Sequence, residues 1–268
     1  MAVRVAVLGA GGKVGRALVR AIAETKGAAV LSAAVERSEF PYLAADVSQL
    51  AGLSPSGLRL TDQRPGKDVA DVWIDFSAPA ATMANLQAGA AAGAAMVIGT
   101  TGLSPSEKEK VAAAAKTIPI VFTPNMSMGV NVMLKLIADA ARLLGPGYDI
   151  EIVETHHRLK RDAPSGTALR LAEAVAEASG RDLATTARYD RHGDIGPRTD
   201  AEIGIQTLRG GDVFGDHTVF FLGQGDRLEI THRASSRDTF AHGAVRAALW
   251  LAGKPAGLFD MQDVLGLK

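Results

Sequence analysis

Residues 154–167 read Glu-Thr-His-His-Arg-Leu-Lys-Arg-Asp-Ala-Pro-Ser-Gly-Thr, a stretch that concentrates proton-transfer and anion-binding groups. A histidine titrates near neutrality and can lend a proton, and a lysine can supply charge and a second donor. His156 and Lys160, four residues apart, are therefore the candidate acid/base pair. Pro164 and Ser165 precede a helical pattern that begins at Gly166 and Thr167. A helix start presents backbone N–H groups that its own hydrogen-bond ladder does not use, so these two residues can receive a carboxylate. A metal site fits this stretch poorly. Neighbouring side chains on a strand, such as His156 and His157, point to opposite faces, and no cysteine or H-x-x-x-H pair completes a ligand set. An ordinary basic surface loop stays open as the alternative.

A second constellation stands near the N-terminus. Gly9-Ala10-Gly11-Gly12-Lys13-Val14-Gly15 lies between a strand-like run and a helical one, with glycines spaced G-x-x-G-x-x-G. Residues without side chains allow close backbone approach to a phosphate, and the helix start supplies donors. A tight turn explains the same glycines. Context favours a dinucleotide: Glu36 lies 21 residues beyond Gly15, at the end of the next strand, where a carboxylate can bond ribose hydroxyls. Arg37 reads two ways, as a partner for a 2′-phosphate or adenine, or as a solvated arginine. Gly99-Thr100-Thr101 and Thr123-Pro124-Asn125-Met126 each follow a further predicted strand, at the sheet edge where such folds bind ligands.

The elements that must carry these residues follow from periodicity. Val3–Leu8, Ala29–Val35, residues 72–76, Ala95–Ile98 and residues 118–122 are short apolar runs of strand length. Helical patterns at 14–23, 82–92 and 106–116 alternate with them. Alternation of this kind predicts a parallel sheet with helices on both faces. After Asn125 the grammar changes. Helical patterns at 131–144 and 167–178 flank a strand at 150–155, and strands at 202–209, 217–222 and 228–233 follow one another as apparent neighbours. A second, mixed α+β domain is expected, and the final helix at 240–251 fits either part. Residues 40–66 read as polar and turn-rich, and Pro197 with its glycines as a mobile loop.

The 268 residues are enough for one large or two ordinary domains. With 47% apolar and 22% charged residues, general disorder is excluded. Basic and acidic residues balance at 29 each, which argues against a nucleic-acid binder with an overall basic field. The chain has no cysteine, which removes disulfides and thiolate chemistry and suits a reducing cytoplasm. No run reaches the roughly 18–20 apolar residues of a membrane span, so neither a membrane nor a nucleic-acid partner is expected.

These motifs together resemble the dihydrodipicolinate (4-hydroxy-tetrahydrodipicolinate) reductase family of the diaminopimelate route to lysine. The resemblance spans nearly the whole chain. It rests on GAGGKVG, Glu36-Arg37, GTTG at 99–102, TPNMSMGVN at 123–131, ETHHRLKRDAPSGTAL at 154–169, and RGGDVFGDH and ITHRASSRDTFAHGA beyond. It implies a Rossmann-like parallel-sheet dinucleotide-binding domain, residues 1–126 plus 238–268, completed by the C-terminal helix. It also implies a mixed-sheet domain, 127–237, that binds substrate and builds a homotetramer in the cytoplasm. The implied reaction is hydride transfer from NADH or NADPH to an unsaturated cyclic imine dicarboxylate, followed by protonation. His156 would be the proton donor/acceptor and Lys160 a second proton donor, with His157, Gly166 and Thr167 holding substrate. Gly9–Val14, Glu36, Arg37, Gly99–Thr101 and Thr123–Met126 would bind the cofactor, Arg37 being the position linked with NADPH. Val14, Thr123 and Met126 stand where the family commonly has methionine, alanine and phenylalanine, departures that touch cofactor packing and preference. A nucleotide sensor would need the glycine loop but not the histidine segment.

Overall fold

The computed structural model describes residues 1–66 and 68–268. The chain separates into two compact units, Met1–Met128 with Arg237–Lys268, and Gly129–Ser236.

The first unit is built on a six-stranded sheet of β1 (Val3–Leu8), β2 (Ala29–Val35), β3 (Val72–Asp75), β4 (Ala95–Ile98), β5 (Pro119–Phe122) and a late strand, Gly257–Phe259, numbered β11. Its order is β11-β5-β4-β3-β1-β2, and every neighbouring pair is parallel. Parallel strands need crossovers, and helices supply most of them: α1 (Lys13–Ala23), α3 (Pro79–Ala92) and α4 (Pro105–Ala114). The short α2 (Val47–Leu50) sits in the turn-rich segment, with Asp46 accepting from the N–H groups of Ser48 and Gln49 as its N-cap. Both faces of the sheet are buried, as continuous apolar strands require. Val5 and Val7 feed one core with α1, and Ala6 and Leu8 feed the other with α3 and α4. The C-terminal helix α8 (Asp238–Leu251) packs beside α1 across β3, β4 and β5, so it belongs to this unit. Neither β11 nor α9 (Met261–Leu265) is foreshadowed by a periodic signal, because each is shorter than two turns of any pattern.

The second unit holds a five-stranded sheet ordered β10-β9-β6-β8-β7. Its strands are β6 (Asp149–His156), β7 (Ala187–Arg188), β8 (Ile203–Arg209), β9 (Gly215–Leu222) and β10 (Arg227–Ala234). One expectation is corrected here. β9 and β10 form an antiparallel hairpin, but β8 does not adjoin β9; β6 lies between them, parallel to β8 and antiparallel to β9. Chain order misleads because an earlier strand has been inserted at the sheet centre. Helices α5 (Met128–Leu144) and α6 (Gly166–Ala178) cover one face, where Ile137, Leu171 and Val175 meet Ile152, Ile205 and Phe221. The short α7 (Leu183–Thr186) leads into β7.

Candidate functional site

In the first unit the chain runs from β1 to β2 on one side and to β3 on the other, which makes the β1/β3 boundary the topological switch point. A cleft of about 580 Å³ opens there, lined among others by Gly9, Gly12, Glu36, Arg37, Arg64 and Ser77. The glycines have separate tasks. Gly9 adopts φ +82°, and a Cβ at Gly15 would fall 2.1 Å from the Gly9 carbonyl oxygen, so only a bare residue lets α1 start this close to the loop. The N–H groups of Gly9 and Ala10 donate to the Val35 carbonyl, and that of Gly12 donates to Gly9. Lys13 and Val14 open α1, and their N–H groups are among those the helix itself does not consume. Glu36 leans onto this loop: its carboxylate accepts from the Gly11 N–H at 3.1 Å and from the Arg37 N–H at 3.1 Å. Arg37 is exposed at the rim. A charge-bearing acceptor beside a glycine loop and a helix start fits an adenosine ribose and its diphosphate, so the residues present suit a nicotinamide dinucleotide.

Gly99, Thr100 and Thr101 sit at the end of β4, and Thr123–Met126 at the end of β5, beyond the lining of that cleft. Gly99 lies under the ring of Phe76, and the Thr82 hydroxyl donates to Thr100 Oγ1 at 2.8 Å. Thr101 and Pro124 are exposed, whereas Thr123 is buried with its hydroxyl turned to the Asn125 carbonyl at 3.4 Å. Met126 differs from the others. The residue is 1% exposed, its side chain belongs to the core shared with α1 and α8, and its carbonyl lies against Gly243 of α8.

Sequence reasoning missed a buried polar chain under this cleft. Asp75, fully buried, accepts from the Ser77 N–H (2.9 Å) and hydroxyl (2.5 Å) and from the Asn85 amide (3.0 Å). Asn85 in turn accepts from Arg64 Nε at 2.7 Å. A lone aspartate ending the apolar run VWID, with serine two residues on, was the available signal for an Asx-type turn.

In the second unit, period-two alternation on β6 builds the other constellation. Ile150 and Ile152 point into the core, and the same face continues through Glu154 and His156 at the strand's end. Glu154 is wholly buried and His156 is 9% exposed. His156 Nδ1 lies 2.6 Å from Glu154 Oε2. Register sets Thr207 and Arg209 of β8 and His217 of β9 against them. Arg209 donates both terminal nitrogens to the Glu154 carboxylate at 2.8 Å, and the Ser165 N–H adds a third bond at 2.9 Å. Burial opposes the Glu154 charge, but bonds from His156, Arg209 and Ser165 outweigh it and hold its pKa at about 2. His217 packs edge-on to His156, ring centroids 5.2 Å apart, and its Nε2 meets the Ser165 hydroxyl at 3.3 Å. Burial, aided by the charge of His156, pushes the His217 pKa down to about 4.

Ser165 also caps α6, accepting from the Ala168 N–H at 3.1 Å. The first-turn amides of Gly166 and Thr167 therefore start from a residue bonded to the carboxylate that grips His156. Lys160 pairs with exposed Asp162 at 2.9 Å. His157 donates its N–H to the Val213 carbonyl at 2.7 Å, and its buried Nδ1 has no hydrogen-bond partner among the described residues. Glu154, Arg209 and His217 were not anticipated. Glu154 was within reach, since residues i and i+2 of a strand share a face, but Arg209 and His217 needed the register.

Comparison with known proteins gives one answer along the whole chain. The family model for the dihydrodipicolinate reductase N-terminus matches residues 3–126, and that for the C-terminus matches 129–265. The 4-hydroxy-tetrahydrodipicolinate reductase of Anaeromyxobacter dehalogenans strain 2CP-1 is 56% identical over 266 residues, covering 99% of this chain and 98% of that one. The protein of that name from Syntrophotalea carbinolica is 51% identical, covering 99% and 100%. Among solved structures, a dipicolinate-bound dihydrodipicolinate reductase from Paenisporosarcina sp. TG-14 superposes with a TM-score of 0.74 at 22% identity, covering 98% of this chain and 99% of that one, a likeness of fold. Two domain models in tandem and relatives sharing half the residues end to end leave one reading of its kinship: this chain is a member of the dihydrodipicolinate reductase family.

Proposed function

We propose that this protein reduces 4-hydroxy-tetrahydrodipicolinate, the compound in its relatives' name, at the reduction step of lysine biosynthesis through diaminopimelate. The observation that carries the reading is the His156–Glu154–Ser165 linkage, which joins a proton donor to a helix start suited to a carboxylate. Bound at the glycine loop, NADH or NADPH supplies the hydride. The residues of the chain do the rest. Glu36 accepts from the ribose hydroxyls, Lys13 and Val14 turn their amides to the diphosphate, and Arg37 answers a 2′-phosphate. Gly99–Thr101 and Thr123–Met126 bound the nicotinamide half. His157 and the amides of Gly166 and Thr167 orient one substrate carboxylate, which converts an encounter into an aligned reaction. The 4-hydroxyl must leave as water, giving the conjugated cyclic imine that takes up the hydride; His156 then delivers the proton that the reduced ring must take up, and Lys160 steadies the developing charge or shares that transfer.

On this reading residues 1–126 and 238–268 form the dinucleotide-binding domain, and 127–237 the domain that binds substrate and assembles a homotetramer. Among the described residues no helix is long and apolar enough to cross a membrane, and the cytoplasm is the proposed location. The test is an absorbance assay. Purified protein, enzymatically generated substrate and each reduced nucleotide are mixed, and the reduced-nicotinamide band is followed. Oxidation dependent on substrate supports the reading; none with either nucleotide overturns it.

A further inference from the structure

The Glu154 carboxylate has more bonds than a structural acid needs, and their arrangement assigns it a task in the proposed reduction, on which this inference rests. Its Oε2 faces His156 Nδ1 and Arg209 Nη1, and its Oε1 faces Arg209 Nη2, the Ser165 N–H and the Thr207 hydroxyl. An ionised carboxylate has no proton to give, so Glu154 can only accept from the imidazole. His156 must then carry hydrogen on Nδ1, and Nε2 is the atom left to exchange a proton. Room exists on that side because β9 begins with a glycine: a Cβ at Gly215 would come within 2.9 Å of Nε2. We infer that Glu154 is the positioning residue of the proton donor, fixing the tautomer and direction of His156 while holding the start of α6 through Ser165.

Charged and titratable groups approach His156 from its own strand and from the elements packed against it. Glu154 shares its strand, Arg209 faces it from β8, and His217 faces it from β9, while Lys160 lies on the following loop. Arg209 neutralises the carboxylate without competing for Nδ1, and a neutral His217 adds no charge. A carboxylate hydrogen-bonded to one ring nitrogen fixes which nitrogen carries the hydrogen and which way the ring faces, as an orienting acid does behind other catalytic or metal-bound histidines.

The test compares wild type with Glu154→Gln, which keeps the shape and removes the charge. Turnover should fall roughly tenfold or more, while substrate KM should move by less than about threefold. In parallel, ¹⁵N NMR of His156 without substrate, assigned against His156→Asn, should show the Nδ1–H tautomer in wild type and its loss in Glu154→Gln. Wild-type turnover in Glu154→Gln would overturn the inference, as would a rise in KM alone. A neutral wild-type His156 that carries its hydrogen on Nε2 and none on Nδ1 overturns it even if the variant fails to fold. Absence of turnover in wild type would instead sink the reductase reading, and the NMR result would still stand for Glu154.

Discussion

The carboxylate of Glu36 accepts a hydrogen bond from the backbone N–H of Gly11, 3.1 Å away and 25 residues earlier in the chain. The acid that ends β2 and the loop that ends β1 are thus one surface. Glu36→Ala removes a charged acceptor, an interaction worth about 1.5–3 kcal/mol. The KM for NADH should rise roughly tenfold or more, and NADPH, whose 2′-phosphate the carboxylate repels, should suffer less. Steady-state kinetics with both nucleotides decides; equal and unchanged KM values would remove Glu36 from the ribose.

His156→Ala should lower kcat by about a hundredfold, within the range of a lost general acid, while fluorescence titration finds nucleotide affinity unchanged. Lys160→Ala should weaken both kcat and substrate KM. A His156→Ala enzyme with full turnover would exclude the imidazole from the chemistry.

Gly15→Ala and Gly166→Ala make an informative pair. A methyl at Gly15 collides with backbone 2.1 Å away, whereas a methyl at Gly166 meets nothing within 4 Å. Urea unfolding should show a loss of about 1–3 kcal/mol or more for the first and almost none for the second. Equal stabilities would mean that α1 does not pack on the loop as described.

Stability should depend on pH through His217. Its pKa is lowered from 6.5 to about 4, so between these values the unfolded chain binds a proton that the native one refuses. Stability therefore rises with pH across this window and falls as pH drops from 6.5 towards 4, by up to roughly 3 kcal/mol. His232, lowered by burial in spite of Asp216, contributes in the same direction. Glu154 acts in a separate window: its stabilisation is present above 4.5 and is lost as pH falls through about 2. His217→Phe should flatten the upper window, measured as the change in denaturant midpoint between pH 7 and pH 4.5; an unaltered slope would show that His217 titrates normally.

Much of this was legible before any coordinates. Runs such as VRVAVL and VWID are apolar on both faces, which is how strands buried between helix layers must read. The glycine loop, Glu36 and the histidine segment announced themselves because their chemistry is local: a loop, the acid that follows it, and a helix start. What stayed hidden depends on partners far along the chain. Arg209 reaches Glu154 across 55 residues, and only the parallel register of β6 with β8 brings them together. The insertion of β6 between β8 and β9 is a topological fact with no local pattern. The burial of the Met126 side chain against α8 is equally hidden, because it depends on a helix more than a hundred residues later.

The parallel sheet of the first unit takes its edge strand β11 from residues 257–259, paired with β5, and its covering helix α8 from 238–251. During synthesis the ribosome therefore delivers the whole of Gly129–Ser236 before the nucleotide-binding sheet can close. The unit that starts first finishes last. A nascent chain stalled anywhere short of α8 would leave one face of β3, β4 and β5 bare, an apolar surface for chaperones to shield until translation ends.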